Sequence, residues 1–318
     1  MHRALYFAGL LAACRGNPST MQPGDGGRFY DSTVVPQPDV SATLPALFHF
    51  AVVGDTRPSN MDDVAGYPTA IITKIWSDVE ASSPHPDFAV STGDYMFADS
   101  SMAGSASTVD PQLDDYLAAR AAYSNAVFAA MGNHECTGAT ASNCGMGAID
   151  GVTYNFVEYQ RRMLSPLGIT QPFFAIPFAA NDGTWTAKLV FVAANAWNPT
   201  QAAWLDQTLA QATTYTFVIR HESAEVTDPI GVTPSETTIA KYPLTLKIVG
   251  HTHTYTRNEP DHEVICGNGG APPTSGHSYG YVIVERLASG DVQVSAHDYQ
   301  SNAITDQWRI HADGTDAP

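Results

Sequence analysis

Six side chains of types that commonly bind metal ions follow short apolar segments of the sequence. They are Asp55, Asp94, Asn133, His221, His251 and His253. Carboxylate oxygens, an amide oxygen and imidazole nitrogens suit iron, manganese or zinc. A glycine stands before four of the six and allows a tight turn with close backbone approach. The residue types therefore predict a metal centre.

The elements that carry these side chains are predicted to be β-strands. The five segments cover 48–53, 87–91, 127–131, 215–220 and 246–249. In open α/β sheets, ligands bind beyond the carboxyl ends of the strands. A Gly-Asp pair after one strand is commonly only a turn, but folding does not require a metal ligand after five strands in order. We therefore expect the five ends to converge on one site.

The rest of the pattern predicts an α/β fold. Apolar spacing predicts helices over 68–81, 111–123 and 200–212, and further strands over 188–194, 281–285 and 292–296. Asp110 is the expected N-cap of the second helix, directly before Pro111. The chain near Trp308 is expected to be extended.

Two motifs, Gly-Asn-His-Glu at 132–135 and Gly-His-Thr-His at 250–253, are the most specific. With the other ligands in the same order, they make the chain resemble the calcineurin-like metallophosphoesterases. The branch that includes the purple acid phosphatases is the most similar. The resemblance covers roughly residues 48–310 and extends to Tyr-Thr-Arg at 255–257 and the glycine-rich segment 263–270.

The resemblance implies a sandwich of two mixed β-sheets flanked by helices, with a centre of two metal ions. It assigns Asn133, His221 and His251 to one ion, Asp55 and His253 to the other, and Asp94 to both. His134 becomes the general acid that protonates the leaving oxygen. The implied reaction is hydrolysis of a small phosphate ester, a monoester or a diester, by direct attack of metal-bound water. The implied ions are divalent or trivalent iron, manganese or zinc.

Two positions depart from the family pattern. Arg57 stands where many of these enzymes have a histidine ligand, and Phe97 stands where the purple acid phosphatases have a tyrosine. Both changes remove ligands from the ion held by Asp55. The sequence leaves three outcomes open: a weak first ion, a centre with one ion, or an Arg57 guanidinium that binds substrate phosphate. The alternative to an enzyme is a catalytically impaired binding module on the cell envelope.

Two acidic residues stand directly beside these motifs. Glu135 is expected either to orient the His134 imidazole or to lie in a solvated turn. Glu222, directly after His221, is expected to be a surface acid.

The N-terminus resembles a bacterial lipoprotein signal. A short positive start and an apolar run of about ten residues lead to Leu-Ala-Ala-Cys at 11–14, too short a run to span a membrane. We expect a signal peptide over 1–13, a lipidated Cys14 with a flexible tether over 14–45, and the catalytic domain over 46–318. The expected location is the bacterial cell envelope, on the periplasmic or surface side, with membrane contact only through the lipid.

Composition and cysteine spacing bear on the binding partner and on the disulfide bonds. The formal net charge of −17 disfavours nucleic acid as a partner, because no excess of basic residues is available to displace counterions. In an exported protein disulfides persist, and Cys136 and Cys144 flank a short loop, so we predict a bond between them. Cys266 is then expected to be a buried free thiol.

Overall fold

The computed structural model describes residues 42–44, 48–101, 105–258 and 262–318. The predicted signal peptide, Cys14 and most of the predicted tether lie outside these residues. Ala42–Leu44, inside the predicted tether, forms strand β1 and pairs in parallel with β5 (Phe174–Ala180). Among the described residues, no helix is both long and apolar enough to cross a membrane.

Two mixed β-sheets form the body of the fold. The remaining strands are β2 His49–Val52, β3 Phe88–Ser91, β4 Val127–Ala129, β6 Thr186–Phe191, β7 Tyr215–Ile219, β8 Leu246–Val249, β9 Tyr255–Asn258, β10 Glu263–Cys266, β11 Gly280–Arg286, β12 Val292–Asp298 and β13 Ile304–Ile310. One sheet has the order β1-β5-β6-β7-β8-β10-β9, and the other has the order β13-β12-β11-β2-β3-β4. In the second sheet β2, β3 and β4 run parallel, so their carboxyl ends share one edge.

An aromatic core holds the two sheets face to face. Phe88 of β3 stacks on Phe178 of β5 with ring centroids 4.9 Å apart. Phe48, directly before β2, lies 5.7 Å from Phe217 of β7. Because each pair joins strands of different sheets, the predicted sandwich of two mixed sheets is confirmed.

Helices complete the layers. They are α1 Thr69–Glu80, α2 Ala106–Arg120, α3 Tyr154–Tyr159, α4 Pro199–Ala210 and α5 Val232–Ile239, with a π-helical turn Gln160–Leu164 and 3₁₀ turns Ser165–Leu167 and Ala194–Ala196. In β6, Phe191 belongs to the large core, whereas Val190 packs with Leu205 of α4 and Ile239 of α5. Successive residues of a strand point to opposite faces, so this sheet is buried on both sides.

The predicted start of the second helix is wrong. The helix begins at Ala106 rather than after Asp110, and Pro111 lies inside it. Val109 is buried on the same face as Leu113 and Tyr116, at the spacing of one helical side. This additional apolar contact stabilises the turn before Pro111, and it offsets the lost backbone hydrogen bond and the crowding that a proline causes inside a helix.

The predicted disulfide is confirmed. Cys136 and Cys144 are bonded, and Cys266 is a buried free thiol. The loop that the disulfide closes is also held by the Cys144 amide, which donates to the Asn195 carbonyl at 2.7 Å, and by the Thr153 hydroxyl, which donates to the Cys136 carbonyl at 2.7 Å. The loop follows the Gly-Asn-His-Glu motif directly, so its anchoring limits the motion of that motif.

Replacing both bonded cysteines, as Cys136→Ser with Cys144→Ser, should lower the free energy of unfolding by about 2–3 kcal/mol, because the unfolded chain regains the entropy of a short open loop. Urea unfolding measures the change. Reductant should destabilise the wild-type protein by a similar amount and leave the double variant unchanged. An equal effect of reductant on both proteins would contradict the assignment.

Candidate metal centre

The carboxyl ends of strands from both sheets meet at one place. Asp55, Asp94 and Asn133 lie just beyond β2, β3 and β4 of one sheet, and His221 and His251 lie just beyond β7 and β8 of the other. His253 follows two residues later. The structure thus brings all six predicted ligands together, at the junction of the two sheets.

Four of these residues have a left-handed backbone that non-glycine residues rarely adopt. The φ angles are 55° at Asp55, 59° at Asp94, 70° at His251 and 53° at His253. Such conformations cost free energy and persist only where the surrounding structure enforces them. Their occurrence at four predicted ligands marks these strand ends as a built site rather than as ordinary turns.

Two groups of side chains are each close enough to hold an ion, and they share Asp94. The first contains Asp94, His221 and His251, and the second contains Asp55, Asp94 and His253, with ligand atoms within 4.8 Å of one another in each group.

Around the first group the ligand atoms face one another closely. His221 Nε2 lies 3.3 Å from Asp94 Oδ1 and 3.2 Å from Asn133 Oδ1. His251 Nδ1 lies 3.1 Å from His221 Nε2 and 3.2 Å from Asn133 Oδ1. The Asn133 amide oxygen is therefore placed to complete this group.

The second group is more open. His253 Nε2 lies 3.6 Å from Asp55 Oδ1, and Asp55 Oδ2 accepts the His251 amide at 2.9 Å. Asp55 is fully buried, yet its Oδ1 has no hydrogen-bond partner among the described residues. A buried carboxylate oxygen without a donor is costly, and a cation at this position would satisfy it.

Backbone carbonyls fix which imidazole nitrogens point inward. His221 Nδ1 is 2.9 Å from the Thr92 carbonyl, and His253 Nδ1 is 3.0 Å from the Pro272 carbonyl. A carbonyl accepts only, so each Nδ1 donates its proton and each Nε2 directs a lone pair into the site, as in many metal-binding histidines. The sequence did not indicate Thr92 and Pro272, because every residue type has a backbone carbonyl that can accept such a hydrogen bond.

The electrostatics show that the site requires positive charge. Although burial opposes ionisation, the charges of His134, His221 and Arg57 hold the pKa of the Asp94 carboxyl well below its usual range. Burial likewise opposes the charge on His221, but the carboxylates of Asp94 and Asp55 raise its pKa well above the ordinary value. The two carboxylates thus favour positive charge at this place, which a metal ion bound to the neutral imidazole would supply, so these residues fit metal ions.

Glu135 has neither of the two roles expected from the sequence. It is fully buried, and its carboxylate accepts the backbone amides of Asp94, Tyr95 and Gly132, each at 2.8 Å. Burial and the charge of Asp94 raise its pKa to about 7, against these three hydrogen bonds. Glu135 therefore ties the loop after β4 to the loop after β3 and sets the position of Asp94.

His134 lies beside Asp94, with its Nε2 3.5 Å from Asp94 Oδ2. Burial and the positive charge of Arg57 together lower the pKa of its imidazole to about 3, although the charge of Asp94 opposes the shift. The Asn155 amide donates to the His134 carbonyl at 3.1 Å and holds this turn. The ring is therefore neutral at pH 7 in the absence of a bound anion.

Arg57 points toward the site, not away from it. Its Nε lies 3.6 Å from Asp94 Oδ2, and its guanidinium carbon lies 4.6 Å above the centre of the Phe97 ring. The two positions that depart from the family pattern are therefore in contact with each other. The sequence did not predict this contact, because the two residues lie in different loops.

Glu222 is buried, so the expectation of a surface acid is wrong. Its Oε1 accepts from the Asn195 side chain, and Arg220 Nε donates to its backbone carbonyl at 2.8 Å. Burial raises the pKa of this carboxyl despite the nearby charge of His221. Glu222 therefore connects His221 to Asn195, which also anchors the disulfide loop.

One family profile and several solved structures are similar to this chain. The profile of the family described as calcineurin-like phosphoesterase matches residues 48–255. No curated protein matches significantly. Purple acid phosphatase PPD1 from yellow lupin (Lupinus luteus) seeds is similar at a TM-score of 0.56 and 13% identity, over 85% of this chain and 54% of the lupin chain. This chain thus spans about half the length of the lupin protein.

Two further structures match over most of their own length. A dimetal phosphatase from Danio rerio has a TM-score of 0.55 and 14% identity, over 83% of this chain and 99% of that one. GAP50 of Plasmodium has a TM-score of 0.52 and 12% identity, over 84% of this chain and 89% of that one. At these identities the structural matches establish the fold, and the profile match establishes the kinship of residues 48–255.

Glu135→Gln should lower the free energy of unfolding by roughly 2 kcal/mol, because the amide nitrogen of glutamine cannot accept from the backbone donors that the carboxylate satisfies. Chemical denaturation at pH 8 measures the change. The exposed Glu225 gives the matched control, and Glu225→Gln should change stability by less than about 0.5 kcal/mol. Equal stabilities of the two variants would refute the positioning role.

Proposed function

Because the chain belongs to the calcineurin-like phosphoesterase family, we propose that it hydrolyses small phosphate esters with two metal ions. One ion would be held by Asp94, Asn133, His221 and His251. The other would be held less tightly by Asp55, Asp94 and His253. The proposed ions are iron, manganese or zinc, as the mixed nitrogen and oxygen donors favour.

One observation carries this proposal: the two groups of potential ligands share a single buried carboxylate, Asp94. A carboxylate that faces both groups can bridge two ions about 3.5–4 Å apart, the spacing of two-ion hydrolases. The unpartnered Asp55 Oδ1 and the inward lone pairs of His221 and His253 add independent support. Without cations, this many acceptors in a buried space would repel one another.

When bound, such ions neutralise charge on the phosphate and lower the pKa of a coordinated water to near neutrality. The protein's own residues hold the geometry. Glu135 fixes the backbone of Asp94, and the carbonyls of Thr92 and Pro272 orient two imidazoles. None of the described residues at the centre is a serine or cysteine nucleophile, so we propose direct attack by water rather than a covalent intermediate.

His134 is the proposed proton donor. Its ring lies beside Asp94 Oδ2. Its Nδ1 has no hydrogen-bond partner among the described residues, so no backbone carbonyl among them holds a ring proton away from the site. A phosphate brought to the ions adds negative charge beside the ring, which favours the protonated imidazole. The ring can then donate to the leaving oxygen.

The second candidate is a binding module that keeps the fold with impaired chemistry. GAP50 of Plasmodium, described as the anchor in the inner membrane complex, shares the fold, and Arg57 and Phe97 weaken one ion's ligand set. The strained backbone at four ligands favours the enzyme. A site released from catalysis has no reason to keep that strain.

Asp94→Asn and His251→Ala should each lower kcat/KM for hydrolysis of an aryl phosphate by at least roughly 10³-fold, since metal-ion catalysis contributes several kcal/mol. Metal analysis of the same samples should show less than the wild-type content. The assay compares 4-nitrophenyl phosphate with bis(4-nitrophenyl) phosphate, with added manganese, iron or zinc. Wild-type protein that binds no metal and hydrolyses neither ester would favour the binding module.

His134→Ala should lower kcat by about 10²- to 10⁴-fold, the usual contribution of a general acid, while the metal content stays at the wild-type value. The loss should be smaller with esters whose leaving groups are more acidic, because they need less protonation. His277→Ala is the matched control, since His277 is exposed. An equal loss for all leaving groups would exclude the proton-donor role.

A further inference from the structure

Three side chains, Arg57, Phe97 and His134, are in contact beside Asp94. The Arg57 guanidinium carbon lies 4.6 Å over the Phe97 ring, and the Phe97 ring centroid lies 4.3 Å from that of His134. A guanidinium over an aromatic face is attracted by the ring quadrupole. Phe97 therefore packs against both Arg57 and His134.

The guanidinium is fixed but most of its donors are unused. Arg57 NH1 donates to the Pro58 carbonyl at 2.9 Å, and this is its single hydrogen bond to the described residues. Its Nε is buried without a hydrogen-bond partner, 3.6 Å from Asp94 Oδ2. A guanidinium carries five N–H donors in a fork that matches phosphate oxygens. The remaining donors are available to a ligand beside Asp94.

The position of Arg57 also sets the local balance of charge. Its permanent positive charge stands beside Asp94, the carboxylate that both ligand groups share. A cation held there repels an ion bound by Asp55, Asp94 and His253. The same charge attracts an anion that binds at this side of the centre.

We propose that Arg57, held in place by Phe97, binds the phosphate group of the substrate and makes the site selective for phosphomonoesters. The inference rests on the proposed hydrolytic function. Arg57 lowers the affinity of the second ligand group for its ion. In return, its guanidinium can bind the phosphate through two hydrogen bonds. His134, which also contacts Phe97 and lies beside Asp94, would then stand near the leaving oxygen of the same phosphate.

The selectivity follows from the charge of the substrate. A phosphomonoester carries about two negative charges at pH 7, since its second pKa is about 6, and a diester carries one. A monoester also offers three terminal oxygens to a fork that binds two of them. An added fixed cation therefore stabilises the bound monoester more than the bound diester.

The test measures binding of inorganic phosphate to the metal-loaded protein by calorimetry, beside metal content after dialysis. Arg57→Ala should weaken phosphate binding by roughly 10- to 100-fold, the loss expected for charge-assisted hydrogen bonds. It should at the same time raise the retention of the weaker ion, because the repulsion is removed. A purely structural role for Arg57 would lower both quantities together, so the opposite directions identify the proposed role.

Matched variants sharpen the result. Arg57→Lys should recover only part of the phosphate affinity, because lysine lacks the planar fork. Phe97→Leu should weaken phosphate binding several-fold, and adding Phe97→Leu to Arg57→Ala should cause little further loss, since the ring acts through the guanidinium. Arg309→Ala, on the exposed face of β13, should change neither phosphate binding nor metal content.

Kinetics complete the test. Arg57→Ala should raise KM more for 4-nitrophenyl phosphate than for bis(4-nitrophenyl) phosphate. Unchanged phosphate binding in Arg57→Ala, or equal losses for the two esters, would overturn the proposal and leave the proposed hydrolysis standing. Absence of hydrolysis in the metal-loaded wild type would overturn the hydrolytic function itself, while the phosphate-binding measurement would still decide whether Arg57 holds an anion.

Discussion

The buried carboxylate of Asp94 is the charge on which the rest of the site depends. One oxygen accepts the His134 amide at 3.2 Å and faces His221, while the other faces Arg57 and the His134 ring. A charge buried this deeply must be paired. Its backbone is held in turn by Glu135, so the polar groups of the centre become ordered together.

The fold must place that carboxylate against histidines from the other sheet. Stacked pairs such as Phe88 with Phe178 set the separation of the two layers, and the strand ends follow from it. Close approach also constrains the backbone. At Gly93, with φ at 112°, an added Cβ would lie 2.7 Å from the Gly132 nitrogen and 2.8 Å from His221 Nδ1. Any larger residue at Gly93 would push the loops of the two sheets apart.

Arg57 and Phe97 replace two ligands of the family pattern, yet both side chains still take part in contacts at the site. A histidine ligand binds an ion only through a lone pair, whereas arginine keeps its charge at every physiological pH. An arginine beside Asp94 would be unfavourable if it stood alone against two ions. Its contact with Phe97 and the nearby carboxylate stabilise it, so both departures are consistent with one rearranged rim.

The sequence by itself determined the order of the strands that end in ligands, because an apolar run followed by a polar residue records burial and exposure directly. It also predicted the Cys136–Cys144 bond, since closing so short a loop costs little entropy. Only the tertiary structure decided that Glu135 binds three backbone amides, that Glu222 is buried and that Arg57 stacks on Phe97. Those contacts join segments from different loops and strands, and their free energy arises only when the two sheets have closed on each other.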